Sequence, residues 1–199
     1  MVNGTLSVTP ASLTITADDK QKIYGEANPP LTFSYAGFVN GDTEVAVEPS
    51  ITTSATSSSN VGTYEITLTG GSDPNYAITR VNGTLSVTPA SLTITADDQS
   101  KIYGEANPAL TFTYDGLVNG DTGAAVEPSL ATTATASSPV GSYPITVTGG
   151  SDPNYSISRV NGTLTIGQKK QSPSRSRSKQ SIRPGQSSLN LQLYRLTGR

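Results

Sequence analysis

The sequence predicts a mainly β chain, with two small β-domains in tandem and a basic segment of a different kind behind them. Three observations predict it. Lys22-Ile23-Tyr24-Gly25-Glu26-Ala27-Asn28-Pro29 returns unchanged from Lys101 to Pro108. Short stretches alternate apolar residues with Thr or Ser, and turn-forming residues separate them. Ser and Thr make up 54 of 199 residues, while strong helix formers are scarce, which suits strands with one wet face.

The repeat sets the frame. Val2-Asn3-Gly4-Thr5-Leu6 recurs from Val81 and again from Val160, a period of 79 both times. Residues 2–80 and 81–159 align without a gap and agree at 61 of 79 positions. Solenoid units run about 20–50 residues, so a 79-residue period predicts a small domain with its own core. Neighbours this alike point to duplication, and neither copy holds a unique active site. The expected boundaries are 1–10 (the end strand of a preceding repeat), 11–89, 90–168, and a tail at 169–199.

Within the first unit the strands follow in order. Leu13–Ala17, Leu31–Tyr35, Tyr64–Leu68, Tyr76–Thr79 and Leu85–Thr88 alternate with period 2, and Ile51–Ala55 does so more weakly. Asn82-Gly83 is a turn dipeptide, which predicts that Tyr76–Val81 and Leu85–Val87 pair as a hairpin. Gly70–Asn75 is turn material. Asp42 or Thr43 is placed to cap one helical turn, with Glu44 in its first turn, although Gly123 replaces Glu44 in the second copy. Thr88-Pro89-Ala90 joins the units with few flexible residues, and Pro89 stiffens the joint. Independent beads in a semi-rigid rod are expected. The chain opens inside a strand-like stretch, Met1-Val2-Asn3, and reads as cut from a longer array.

Composition removes whole classes of chemistry. With no Cys there are no disulfides and no thiolate metal sites or nucleophiles. With no His, the commonest general base and transition-metal ligand is missing. No apolar run reaches the ~18 residues of a membrane helix, and no signal peptide follows Met1. Serines are plentiful, but no G-x-S-x-G elbow occurs. An enzyme is therefore not expected.

In YGEANP, Gly25 supplies a positive φ, and Asn28-Pro29 enforces extended backbone. The stretch reads as a turn that delivers the next strand, with Tyr24 packed and its hydroxyl at the rim. The alternative is a ligand-contacting loop. Its candidate contacts are Tyr24, Glu26, Tyr76, Tyr103, Glu105 and Tyr155, with exposed tyrosines stacking on sugars. No cofactor is expected. Asp18-Asp19 and Asp97-Asp98 raise the alternative of interdomain calcium, but neither fits a D-x-D-x-D-G pattern, and solvated strand ends are the simpler reading. Asn3, Asn82 and Asn161 each begin an Asn-Gly-Thr sequon, which the Asn-Gly turn explains without glycans.

Lys22–Pro29, Val39-Asn40-Gly41-Asp42-Thr43, Val61-Gly62-Thr63-Tyr64, Asn75-Tyr76 and Val81–Leu85 together resemble the MBG domain of the YGX type, a repeat of bacterial cell-surface proteins. The likeness covers about residues 11–168, twice over. It implies a mostly β domain, either β-grasp-like or an immunoglobulin-like sandwich. It also implies a stalk or adhesion role in a large secreted adhesin, without enzymatic activity. Such proteins carry a secretion signal and an anchor, and neither is found in these residues.

Charge separates the tail from the body. All fifteen acidic residues precede position 153, and residues 1–168 carry only five basic ones, Lys20, Lys22, Arg80, Lys101 and Arg159, a balance of −10. Lys169–Arg199 carries eight basic residues and no acidic one. Its Arg-Ser alternation predicts disorder and offers phosphate contacts, but Tyr194 stands alone as a stacking ring, so nucleic-acid binding ranks last. A frameshift or gene-fragment end after Gly167 would also produce so abrupt a change. The leading expectation is a non-catalytic stalk fragment whose partners are neighbouring repeats. Glycan or mucin binding by each repeat is the alternative.

Overall fold

A computed structural model describes residues 1–43, 47–123 and 126–169. Residues 1–168 form one compact unit. The basic tail, and with it the expectation of disorder, lies outside the described residues from position 170 onward. So does the body of the helical turn expected after Asp42, because residues 44–46 are not described.

Among the described residues, each repeat is built from seven strands in two sheets. The first has β1 (Ala11–Ala17), β2 (Lys20–Ile23), β3 (Phe33–Ala36), β4 (Pro49–Thr53), β5 (Gly62–Gly70), β6 (Tyr76–Val81) and β7 (Gly83–Thr88). The second repeats them as β8 (Ala90–Ala96), β9 (Gln99–Ile102), β10 (Phe112–Asp115), β11 (Pro128–Thr132), β12 (Gly141–Gly149), β13 (Tyr155–Val160) and β14 (Gly162–Gly167). A three-stranded sheet, β3-β1-β6, shares its core with a four-stranded one, β2-β7-β5-β4. The second repeat has the orders β10-β8-β13 and β11-β12-β14-β9. No α-helix occurs among the described residues, which favours the two-sheet sandwich over a sheet wrapped on a helix.

The alternation decides which face is buried. In β1, Leu13, Ile15 and Ala17 point inward and the intervening residues do not. Leu13, Ile15, Val47, Ile66 and Leu85 have no exposed surface and form the centre of the first core. At about 1.5–3 kcal/mol per buried aliphatic side chain, this handful drives the collapse of each sandwich.

The hairpin expected around Asn82-Gly83 does not form. β6 runs parallel to β1 in one sheet, whereas β7 pairs with β2 and β5 in the other. Asn82 therefore marks a crossover between sheets, and its side chain bonds Leu68 N and Glu65 Oε1. Gly83 is small for a different reason than turn geometry. A Cβ there would lie 2.8 Å from the Ala17 carbonyl oxygen.

β2 carries no apolar alternation and was not expected as a strand. Its inward residue is Lys22, 4% exposed, whose ammonium donates to the carbonyls of Glu26 and Thr56. Lys101 in β9 does the same for Glu105 and Thr135. Burial lowers the pKa of Lys22, with the Glu26 carboxylate opposing it.

Residues 1–10 lie in no strand. Leu6 is 89% and Val8 87% exposed, while their counterparts Leu85 and Val87 are 0% and 3% exposed in β7. The octapeptide Val2–Thr9 is identical to Val81–Thr88. Flanking strands β2 and β5 make the second a central strand, and no strand among the described residues flanks the first.

Candidate functional site: the seam between the repeats

The repeats are not independent beads. Tyr24 and Val87 of the first repeat belong to the same apolar cluster as Leu92, Ile94, Ile145 and Leu164 of the second. Val61 and Tyr64 pack on its margin. Pro89 alone separates β7 from β8. One residue of fixed φ cannot act as a free hinge.

Tyr24 is the centre of this seam. It is 6% exposed, and its ring meets that of Tyr155 edge to face, with centroids 5.6 Å apart. Its hydroxyl donates to Asp121 Oδ2 at 3.0 Å, and the same oxygen accepts from the Tyr155 hydroxyl at 2.7 Å. The turn that presents Tyr24 is set by Gly25 at φ 90°. Gly25 also lies flush on the second repeat, since a Cβ there would come within 2.6 Å of Val118 Cγ2.

A polar rim surrounds the ring. Val61 N donates to Asn154 Oδ1 at 2.9 Å, Asn154 Nδ2 to Asn60 Oδ1 at 3.2 Å, and Asn119 Nδ2 to the Ser57 carbonyl at 3.5 Å. Asn119 has φ 56°, a left-handed turn conformation that asparagine tolerates better than most residues. Burial first, and then its bond to Asp121, push the Tyr155 hydroxyl up to about 12. Its counterpart Tyr76 is also raised, chiefly by donating to Asp42.

The six candidate ligand contacts divide sharply. Tyr24, Tyr76 and Tyr155 are each 6% exposed, which corrects the picture of open rings stacking on sugars. Tyr103 is 51% exposed, although it occupies the position of Tyr24 in an identical local sequence. Glu26 and Glu105 are exposed, and their carboxylates close the local turn by accepting from Ile23 N at 3.1 Å and Ile102 N at 3.2 Å. The structure thus brings Tyr24 and Tyr155 together and leaves the rest apart.

The acidic pairs have local work too. They sit in the β1–β2 and β8–β9 turns. Asp19 Oδ1 accepts from Thr84 N and Asp98 Oδ1 from Thr163 N, both at 2.7 Å. Asp18 and Asp97 accept from the hydroxyls of Thr32 and Thr111. Among the described residues, no group of three or more Asp or Glu is arranged to hold a metal ion.

Asp121, Asn154, Val118 and Asn60 were not singled out from sequence. Three of them repeat at Asp42, Asn75 and Val39, so nothing local marks the copy that faces a neighbour. Arg80 and Arg159 were missed as well. Each guanidinium spans two glycine carbonyls, Gly70 and Gly71 or Gly149 and Gly150, and pins the turn before β6 or β13.

These features define a structural repeat, whose built contacts join one sandwich to the next. The chain matches the MBG domain (YGX type) family over residues 13–86 and again over 92–165, and it belongs to that family. A comparison with curated proteins finds no match.

Proposed function

We propose that this chain is a non-catalytic stalk segment of a secreted bacterial surface adhesin. The observation that carries the reading is the Tyr24 seam, a packed and hydrogen-bonded joint where a flexible linker would have sufficed. A joint of this kind transmits load and orientation from one repeat to the next. A Gly/Ser linker would transmit neither. The glycan-binding alternative loses three of its four stacking rings to the interior, so the stalk reading stands ahead of it. The partners in this reading are neighbouring repeats, and the location is the cell surface or the medium.

Protease treatment of intact source cells, followed by an antibody to the repeats, tests the location. Loss of the signal from intact cells supports the proposal. A signal that survives until the cells are lysed overturns it. A glycan array decides the rival: saturable binding by the folded chain, lost in Tyr103→Ala, would move the function from stalk to ligand capture.

A further inference from the structure

The two ends of the paired repeats carry the two halves of the seam, and among the described residues neither half meets another repeat. At the amino end of the first repeat is a recess of about 550 Å³, lined by Val39, Asn40, Asp42, Asn75 and Tyr76 and also by residues 8–11 of the chain's own start. One period on, these are Val118, Asn119, Asp121, Asn154 and Tyr155, the residues that receive Tyr24, Gly25, Ser57 and Val61. At the far end of the second repeat, Tyr103 is 51% and Val140 49% exposed, and a Cβ at Gly104 would meet nothing within 4 Å.

We infer that the recess is a socket for the Tyr103 end of a second copy of this chain, so that copies join head to tail. The inference rests on the seam as a joint and not on where the protein resides. Three of the four seam hydrogen bonds can be rebuilt across such a contact. Tyr103 has Asp42 as acceptor, Val140 N has Asn75, and Asn40 has the Ala136 carbonyl in place of that of Ser57. The fourth is lost, because Pro139 replaces Asn60. The backbone also matches, since Tyr103 N donates to the Gly167 carbonyl as Tyr24 N does to that of Thr88. Residues 1–9 of the receiving copy must swing aside, and no strand pairing holds them.

The contact is heterologous, so it does not close on itself, and association runs past the dimer. Without the covalent link, which supplies an effective concentration in the millimolar range, the affinity is weak. Sedimentation of the full chain up to about 1 mM reads it. The weight-average mass is expected to climb from 20.6 kDa as concentration rises. Tyr103→Ala removes the plug and Val39→Arg blocks the socket, and both positions are exposed, so the fold is spared. Each variant alone should lose at least about tenfold in affinity. Mixed together, each still offers the half that the other lacks, and the mixture should form a 1:1 pair that goes no further.

A mass that stays at 20.6 kDa throughout overturns the inference. So does association that both variants retain, which would place the contact elsewhere, for instance on exposed Leu6 and Val8. Neither result would touch the in-chain seam or the surface location.

Discussion

Tyr24→Ala and Tyr103→Ala form a matched pair, because the same residue is removed from the same sequence context in two environments. From Lys22 to Pro29 and from Lys101 to Pro108 the chain is identical, so effects on the unfolded state largely cancel. The folded states differ. Tyr24 is 6% exposed and Tyr103 51%. Taking about 200 Å² for a tyrosine, that gap is about 90 Å², or about 2 kcal/mol at about 25 cal/mol per Å². The edge-to-face contact with Tyr155 adds about 0.5–1.5 kcal/mol, and the bond to the Asp121 carboxylate about 1.5 kcal/mol or more. Tyr24→Ala should therefore cost at least about 3 kcal/mol more than Tyr103→Ala. Urea denaturation followed by circular dichroism measures both. Equal losses at the two positions would refute the reasoning, since sequence would then outweigh the seam.

Three further outcomes are expected. Gly83→Ala drives a Cβ to 2.8 Å from the Ala17 carbonyl oxygen, a backbone atom that cannot step aside, so the urea midpoint should fall by the equivalent of about 1–3 kcal/mol. Lys22→Met leaves the Glu26 and Thr56 carbonyls without their donor, and the loss should be about 2 kcal/mol despite relief from burying an ammonium. The tyrosine shift makes stability fall in alkali. The folded Tyr155 hydroxyl holds its proton to about 12, above its ordinary 10. Its contribution is complete below pH 10 and drains as pH rises to 12, at about 1.4 kcal/mol per unit. Tyr76 and Tyr114 are raised too and act in the same direction. Lys22 acts oppositely, but only below 10.5. Urea midpoints between pH 10 and 12 should therefore decline in the wild type and more gently in Tyr155→Phe.

Alternation made most strands legible from sequence, because a sandwich imposes a period of two on each inner face. Leu13-Thr14-Ile15 and Tyr64–Leu68 fall within β1 and β5. β2 was not legible, because its inward side chain is a lysine whose burial depends on two carbonyls distant in sequence or outside the strand. Asn82-Gly83 misled for a related reason. A turn dipeptide signals a change of direction, and the partner of the following strand is chosen by the core. The seam was hidden by the repeat itself. Tyr24 and Tyr103 have the same neighbours in sequence, and only the adjoining sandwich buries one and leaves the other exposed. Val8 and Val87 make the same point within identical octapeptides.

The central claim is that the seam locks the two repeats into one body. Residual dipolar couplings of the backbone amides in residues 11–168 test it most directly. A locked seam predicts that both repeats fit one alignment tensor, and that Tyr24→Ala splits it into two. Two tensors of different magnitude in the wild-type chain would contradict the account, because the repeats would then move as separate beads whatever the contacts between them.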